Sequence, residues 1–133
     1  MKINIKTTGT APDGLINKEE YSYTGTLSCI KDSVYIKYDS ENDGIKSSNI
    51  IKYKDGAIER TVKGESTSTM RFIEGRETTT NYITPYGTFP MRIMTIHIGM
   101  RKKEEGIYFE IEYMLTVSGE MLGNYNMQID VCS

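Results

Sequence analysis

The chain has no tryptophan, one histidine, two cysteines and three prolines in 133 residues. Each scarcity closes off a class of chemistry. Histidine is the commonest general base near neutral pH, so any histidine-dependent triad must use His97, held between Ile96 and Ile98. No nucleophile motif such as G-x-S-x-G accompanies it, and His97 reads as a satisfied or exposed strand residue. Cys29 and Cys132 form no C-x-x-C pair and have too few companions for a zinc site or a disulfide framework. They read as free thiols that pack like small hydrophobes, or, for the penultimate Cys132, stand in solvent. No calcium-loop spacing, Walker A or G-x-G-x-x-G element is present. No metal and no cofactor is therefore expected. Glu110 and Glu112 alternate with apolar residues and read as a solvated pair, and Glu104-Glu105 as a wet, charged turn beside Arg101, Lys102 and Lys103. With no catalytic constellation to assemble, the expectation is a protein that is not an enzyme.

Charge excess is missing as well. Sixteen basic and 18 acidic side chains leave a net charge of −2. Phosphate binding needs a clear basic excess or stripe, so nucleic acid is not the expected partner. A polybasic membrane-surface segment is absent too. The first residues alternate lysine, asparagine and threonine with isoleucine, without the apolar core of a signal peptide. No run approaches the roughly 18 apolar residues of a spanning helix. The expectation is a cytoplasmic protein.

Helix-forming residues are scarce: two alanines and four leucines. Against them stand 17 isoleucines, 15 threonines, ten tyrosines, four valines and three phenylalanines. β-Branched and aromatic side chains fit a pleated surface, while a helix favours unbranched ones. Period-two alternation agrees. Ile107, Phe109, Ile111, Tyr113, Leu115 and Val117 share one face, and Tyr108, Glu110, Glu112, Met114 and Thr116 the other. The same pattern runs through Tyr21 to Cys29, Val34 to Tyr38 and Gly123 to Val131. Asp43-Gly44 and Asp55-Gly56 are hairpin dipeptides, because both central positions of a type I′ turn need positive φ.

These signals predict strands near 2–8, 19–30, 33–40, 47–54, 57–63, 66–74, 77–84, 88–100, 106–118 and 121–131. Segments 9–17 and 40–48 read as the most loop-like. No linker or repeat divides the chain, so residues 1–133 are expected to form a single domain. The fold class is all-β: a small closed or nearly closed antiparallel barrel or a sandwich.

One segment is more specific. Thr84-Pro85-Tyr86-Gly87-Thr88-Phe89-Pro90-Met91, followed by Ile93 and Thr95, resembles the hallmark of the YwiB-like family of bacterial β-barrels. Met70-Arg71-Phe72-Ile73 with Gly75 and Arg76, and Tyr113, Leu115, Gly119 and Gly123, are similar to flanking parts of that family. The family often carries an arginine where this chain has Val62-Lys63-Gly64-Glu65. The resemblance implies a calycin-like (lipocalin-like) barrel of about 8–10 strands and, by analogy, a ligand cavity. It implies no activity.

Within the motif, Pro85 presets φ for the second position of a turn and Gly87 suits the fourth. Pro90 cannot donate to a ladder and marks a bulge, a strand start or an edge. The tyrosine and phenylalanine either plug the barrel end or line its mouth. Arg71 and Arg92 lie in strands between apolar neighbours; either both point outward into solvent, or a guanidinium turned inward would call for an anion, a carboxylate ligand or an internal ion pair. The ligand-binding candidates are therefore Arg71, Tyr82, Tyr86, Phe89, Arg92 and Tyr113. The first functional expectation is a barrel that takes a small, partly apolar molecule. The second is a protein-interaction or assembly module, such as a homodimer, built on outward tyrosines.

Overall fold

In the computed structural model, which describes residues 1–133, the alternating runs become ten antiparallel strands and no helix. They are β1 (Lys2–Thr10), β2 (Ile16–Ile30), β3 (Ser33–Asn42), β4 (Ile45–Lys54) and β5 (Ala57–Gly64), then β6 (Ser68–Phe72), β7 (Glu77–Thr84), β8 (Gly87–Lys103), β9 (Gly106–Val117) and β10 (Glu120–Cys132). With no helix, nothing is long and apolar enough to cross a membrane as one.

The strand order β6-β5-β4-β3-β2-β1-β10-β9-β8-β7 is one meander whose first and last strands pair. Rolling this sheet brings β6 and β7 together as its two edges. They join through a single bridge, in which Thr67 and Ile83 exchange backbone hydrogen bonds of 2.8 and 2.9 Å. The barrel is nearly closed, with its seam at β6/β7. The 73–76 corner is pinned to β8 by a 2.8 Å bond from the Gly75 amide to the Thr95 carbonyl.

The hairpin chemistry follows the sequence. Asp43 and Gly44, Asp55 and Gly56, and Ser118 and Gly119 all have positive φ, so two-residue turns match the twist of their strands. The segment 40–48, expected to be loop, is mostly strand: β3 runs to Asn42 and β4 begins at Ile45. Its polar residues lie at the barrel rim, where both faces of a strand can stay wet.

Alternation places one face of every strand inside. Ile5 pairs with Ile129, and Ile129 with Phe109. Ile36 pairs with Ile51. These residues belong to a buried cluster that also holds Ile3, Ile58, Phe72, Ile93, Ile107 and Val131. Each fully buried side chain of this size contributes roughly 1.5–3 kcal/mol. Phe109 is fully buried and its ring lies 5.2 Å from that of Tyr53. The apolar packing is densest toward the β4–β5 and β8–β9 turns. Toward the opposite end the lining becomes aromatic and polar.

Candidate functional site

The β3–β4, β5–β6 and β7–β8 turns gather at one end of the barrel and border an open-mouthed cavity of about 800 Å³. This is within the usual range for small-molecule sites. Its walls include Val62, Met70, Tyr82, Tyr86 and Phe89, and Arg60 reaches it from below. The motif 84–91 builds one side. The Thr84 hydroxyl accepts from the Tyr86 amide (3.1 Å) and donates to the Gly87 carbonyl (3.0 Å), which fixes the Pro85-Tyr86 turn. Tyr82 pairs with Phe89 across the hairpin. Both have the same parity as the buried Met91 and Ile93, so they face the mouth. Tyr86 stands at the turn tip and is 93% exposed. Pro90 lies where β8 gains its second neighbour, its carbonyl accepting from the Ser118 amide at 2.8 Å.

The charged feature of the cavity is Arg60, which sequence reasoning did not single out. It lies on β5 between the inward Ile58 and Val62, paired with Ile51 on one side and Met70 on the other. From there its side chain spans the interior. One terminal nitrogen donates to the Sδ of Met127, on the far wall, at 3.5 Å; the other donates to the Tyr38 hydroxyl at 3.4 Å. Its Nε is buried without a hydrogen-bond partner. No carboxylate lies within ion-pair distance of it. A thioether is a weak acceptor, and a desolvated guanidinium without an anion is costly.

Tyrosines surround this charge. Tyr23 stacks on Tyr38 with centroids 4.6 Å apart, and Tyr113 on Tyr125 at 5.4 Å. Burial pushes the Tyr113 hydroxyl up to about 12, with Arg60 pulling the other way and Tyr125 adding to the rise. Burial likewise raises Tyr23, and Tyr38 adds to that rise against the pull of Arg60. Tyr113 and Tyr23 therefore stay neutral at any physiological pH.

The six expected site residues divide. Tyr82, Tyr86 and Phe89 line the cavity. Tyr113 lies deeper, buried against Phe72 and Tyr125. Arg71 and Arg92 are outside the barrel. Arg71 pairs with Glu59 at 3.5 Å and Arg92 with Glu77 at 3.8 Å, and both side chains are more than half exposed. Their apolar neighbours take the inner face, so period-two alternation turns the arginines outward. The signal that identifies Arg60 is the same rule read correctly: apolar residues two positions away, Ile58 and Val62, share its face.

The other candidates for chemistry stay dispersed. His97 is exposed, with its Nδ1 3.5 Å from Glu74. Cys29, next to the last residue of β2, is exposed rather than packed, and Cys132 is half-buried. Glu110 accepts from Asn126 at 3.1 Å on the outer wall. No three histidine, cysteine or acidic side chains converge as metal ligands would.

Comparison with known proteins places this geometry. The crystal structure of the ywiB protein from Bacillus subtilis superposes with a TM-score of 0.85 at 23% identity, covering 99% of this chain and 91% of that one. At that identity the likeness establishes the fold. No curated protein matches the chain. Residues 3–129 match the family described as "Domain of unknown function (DUF1934)". The chain belongs to that family, as the 84–95 motif and the YwiB-like barrel together anticipate.

Proposed function

We propose that the protein is a non-catalytic binder that holds a small, partly apolar molecule in the mouth of its barrel. The observation that carries this reading is the cavity of about 800 Å³ that Arg60 lines, together with the under-partnered state of that residue's guanidinium. Val62, Met70, Tyr82 and Phe89 give the mouth an apolar side, and serines, Asn42, Thr84 and charged residues make up much of the rest of its lining; an apolar surface beside convergent polar groups can bind and orient a ligand. The enzyme reading lacks support: no base, nucleophile and orienting group meet. A cytoplasmic setting is consistent with the two free thiols.

The interaction-module reading draws on a ring of exposed apolar side chains at the same end, namely Leu15, Ile16, Ile45, Ile83 and Tyr86. Against it, only three of the ten tyrosines are exposed, and two of those, Tyr82 and Tyr86, line the cavity. The aromatic residues thus serve the interior more than an outer surface.

Native mass spectrometry of the full chain, gently purified from the cells that make it, tests the reading. A small mass that is lost on denaturation, and is absent from a Met70→Trp variant that fills the cavity, supports it. A bare chain, or one that carries another protein in its place, overturns it.

A further inference from the structure

We propose that the molecule taken up in the mouth is an amphipathic organic anion, an oxyanion head on an apolar or aromatic body, with Arg60 and Tyr38 as its head-binding pair. This presupposes that the cavity takes a ligand and adds the chemistry of that ligand.

The reasoning starts from the donors. A guanidinium is a planar fork of N–H groups, always charged, and suited to a carboxylate or phosphate in a bidentate arrangement. Arg60 spends its terminal nitrogens on a thioether and a phenol, at 3.5 and 3.4 Å, and its Nε on nothing. The phenol contact is longer than the roughly 2.7–2.9 Å of a charge-assisted bond, and the thioether is a weak acceptor at any distance. The arginines and lysine within ion-pair distance of an acid, Arg71, Arg92 and Lys103, lie on the outer wall or near the strand ends. The one basic group inside the barrel has no internal acid. Tyr38 accepts from Arg60, so its own proton is free to point at an oxygen that Arg60 holds.

The walls above this pair define the body of the ligand. Val62, Met70, Tyr82 and Phe89 are apolar or aromatic, and Phe89 and Tyr82 come from facing positions of one hairpin. Methionine adapts to irregular shapes, and flat aromatic walls favour a ring or chain laid between them. Two acids, Asp43 and Glu65, stand at the rim. Both are exposed, so water and salt screen them far more than the buried head site. Their weak, screened repulsion lowers the affinity for an anion without cancelling the pull of the buried guanidinium.

Fluorescence titration with a matched pair of dyes tests the inference. Anilinonaphthalene sulfonate carries an oxyanion, and phenylnaphthylamine is the same aromatic body without it. The expected result is that the sulfonate binds at least tenfold tighter. Arg60→Met should remove that advantage while leaving the neutral dye unchanged, Tyr38→Phe should reduce it in part, and Glu65→Gln should strengthen the sulfonate alone. Displacement of the sulfonate dye by naphthoate or by naphthyl phosphate then tells a carboxylate head from a phosphate head. Equal binding of both dyes, with Arg60→Met and Glu65→Gln altering neither, overturns the anionic head while leaving the cavity reading intact. Failure of both dyes to bind overturns the cavity reading itself.

Discussion

Arg60 and Met127 meet across the full width of the barrel, the guanidinium 3.5 Å from the sulfur, although 67 residues separate them in sequence. The contact satisfies neither side well. A charged donor is matched to a soft, weak acceptor, and the Nε beside it is left with none.

Arg60→Met is therefore expected to stabilise the protein. Removing a buried charge that lacks a counter-ion, and replacing it with an apolar chain of similar length, recovers its desolvation cost, roughly 1 kcal/mol or more. Urea unfolding reads this as a higher midpoint with an unchanged slope. A midpoint that falls would mean that Arg60 is a structural prop, and the cavity would lose its main functional marker.

Tyr113 predicts a loss of stability in alkali. Its hydroxyl titrates near 10 in the unfolded chain and is pushed up to about 12 by burial in the fold. The native state thus holds the proton more tightly. The associated stability is fully present below pH 10 and is lost as the pH rises toward 12, by about 2–3 kcal/mol across that window. Urea midpoints measured from pH 9 to pH 12 should fall less steeply in Tyr113→Phe than in the parent. Parallel curves would contradict the assignment.

Gly123 should resist substitution where Gly44 tolerates it better. Gly123 lies at the β-bulge between β9 and β10 with φ of +146°, and an added Cβ would come within 2.3 Å of the Thr10 carbonyl oxygen. Gly44 also has positive φ, but a Cβ there meets nothing within 4 Å. Gly44→Ala carries only the conformational strain, about 1 kcal/mol, whereas Gly123→Ala must also displace backbone and should cost roughly 3 kcal/mol or more. Thermal unfolding of the two variants side by side decides it.

Phe109→Ala should be among the most damaging core changes. The residue is fully buried in the cluster and packs its ring against Tyr53. Truncation leaves a cavity between two walls that cannot collapse without breaking ladder pairs, so a loss of roughly 3–5 kcal/mol is expected from chemical denaturation. A loss below about 1 kcal/mol would mean that the interior repacks freely.

Much of this architecture is legible along the chain. All ten strands are, because β-branched and aromatic alternation reports a pleated, half-buried surface without long-range knowledge. The Asp-Gly turns are legible because few other pairs adopt positive φ twice. Segment 40–48 misleads for a physical reason: Ser47, Ser48 and Lys46 are polar because the rim is wet on both faces, while the backbone still pairs as strand. The outward reading of Arg71 and Arg92 is the one the structure bears out, because adjacent side chains on a strand point to opposite faces; their place among the site candidates is not.

The sequence by itself determined the class of the fold, its turns and the parity of each strand, since these depend on residues that lie close together in the chain. Only the tertiary structure decided that β1 pairs with β10, that Thr67 and Ile83 close the seam, and that Arg60 lies opposite Met127 beneath Tyr82 and Phe89. These are pairings between distant segments, set by how a twisted ten-stranded sheet meets its own edge. The local pattern places a charge on the inner face. Closure of the barrel is what surrounds it and denies it a partner.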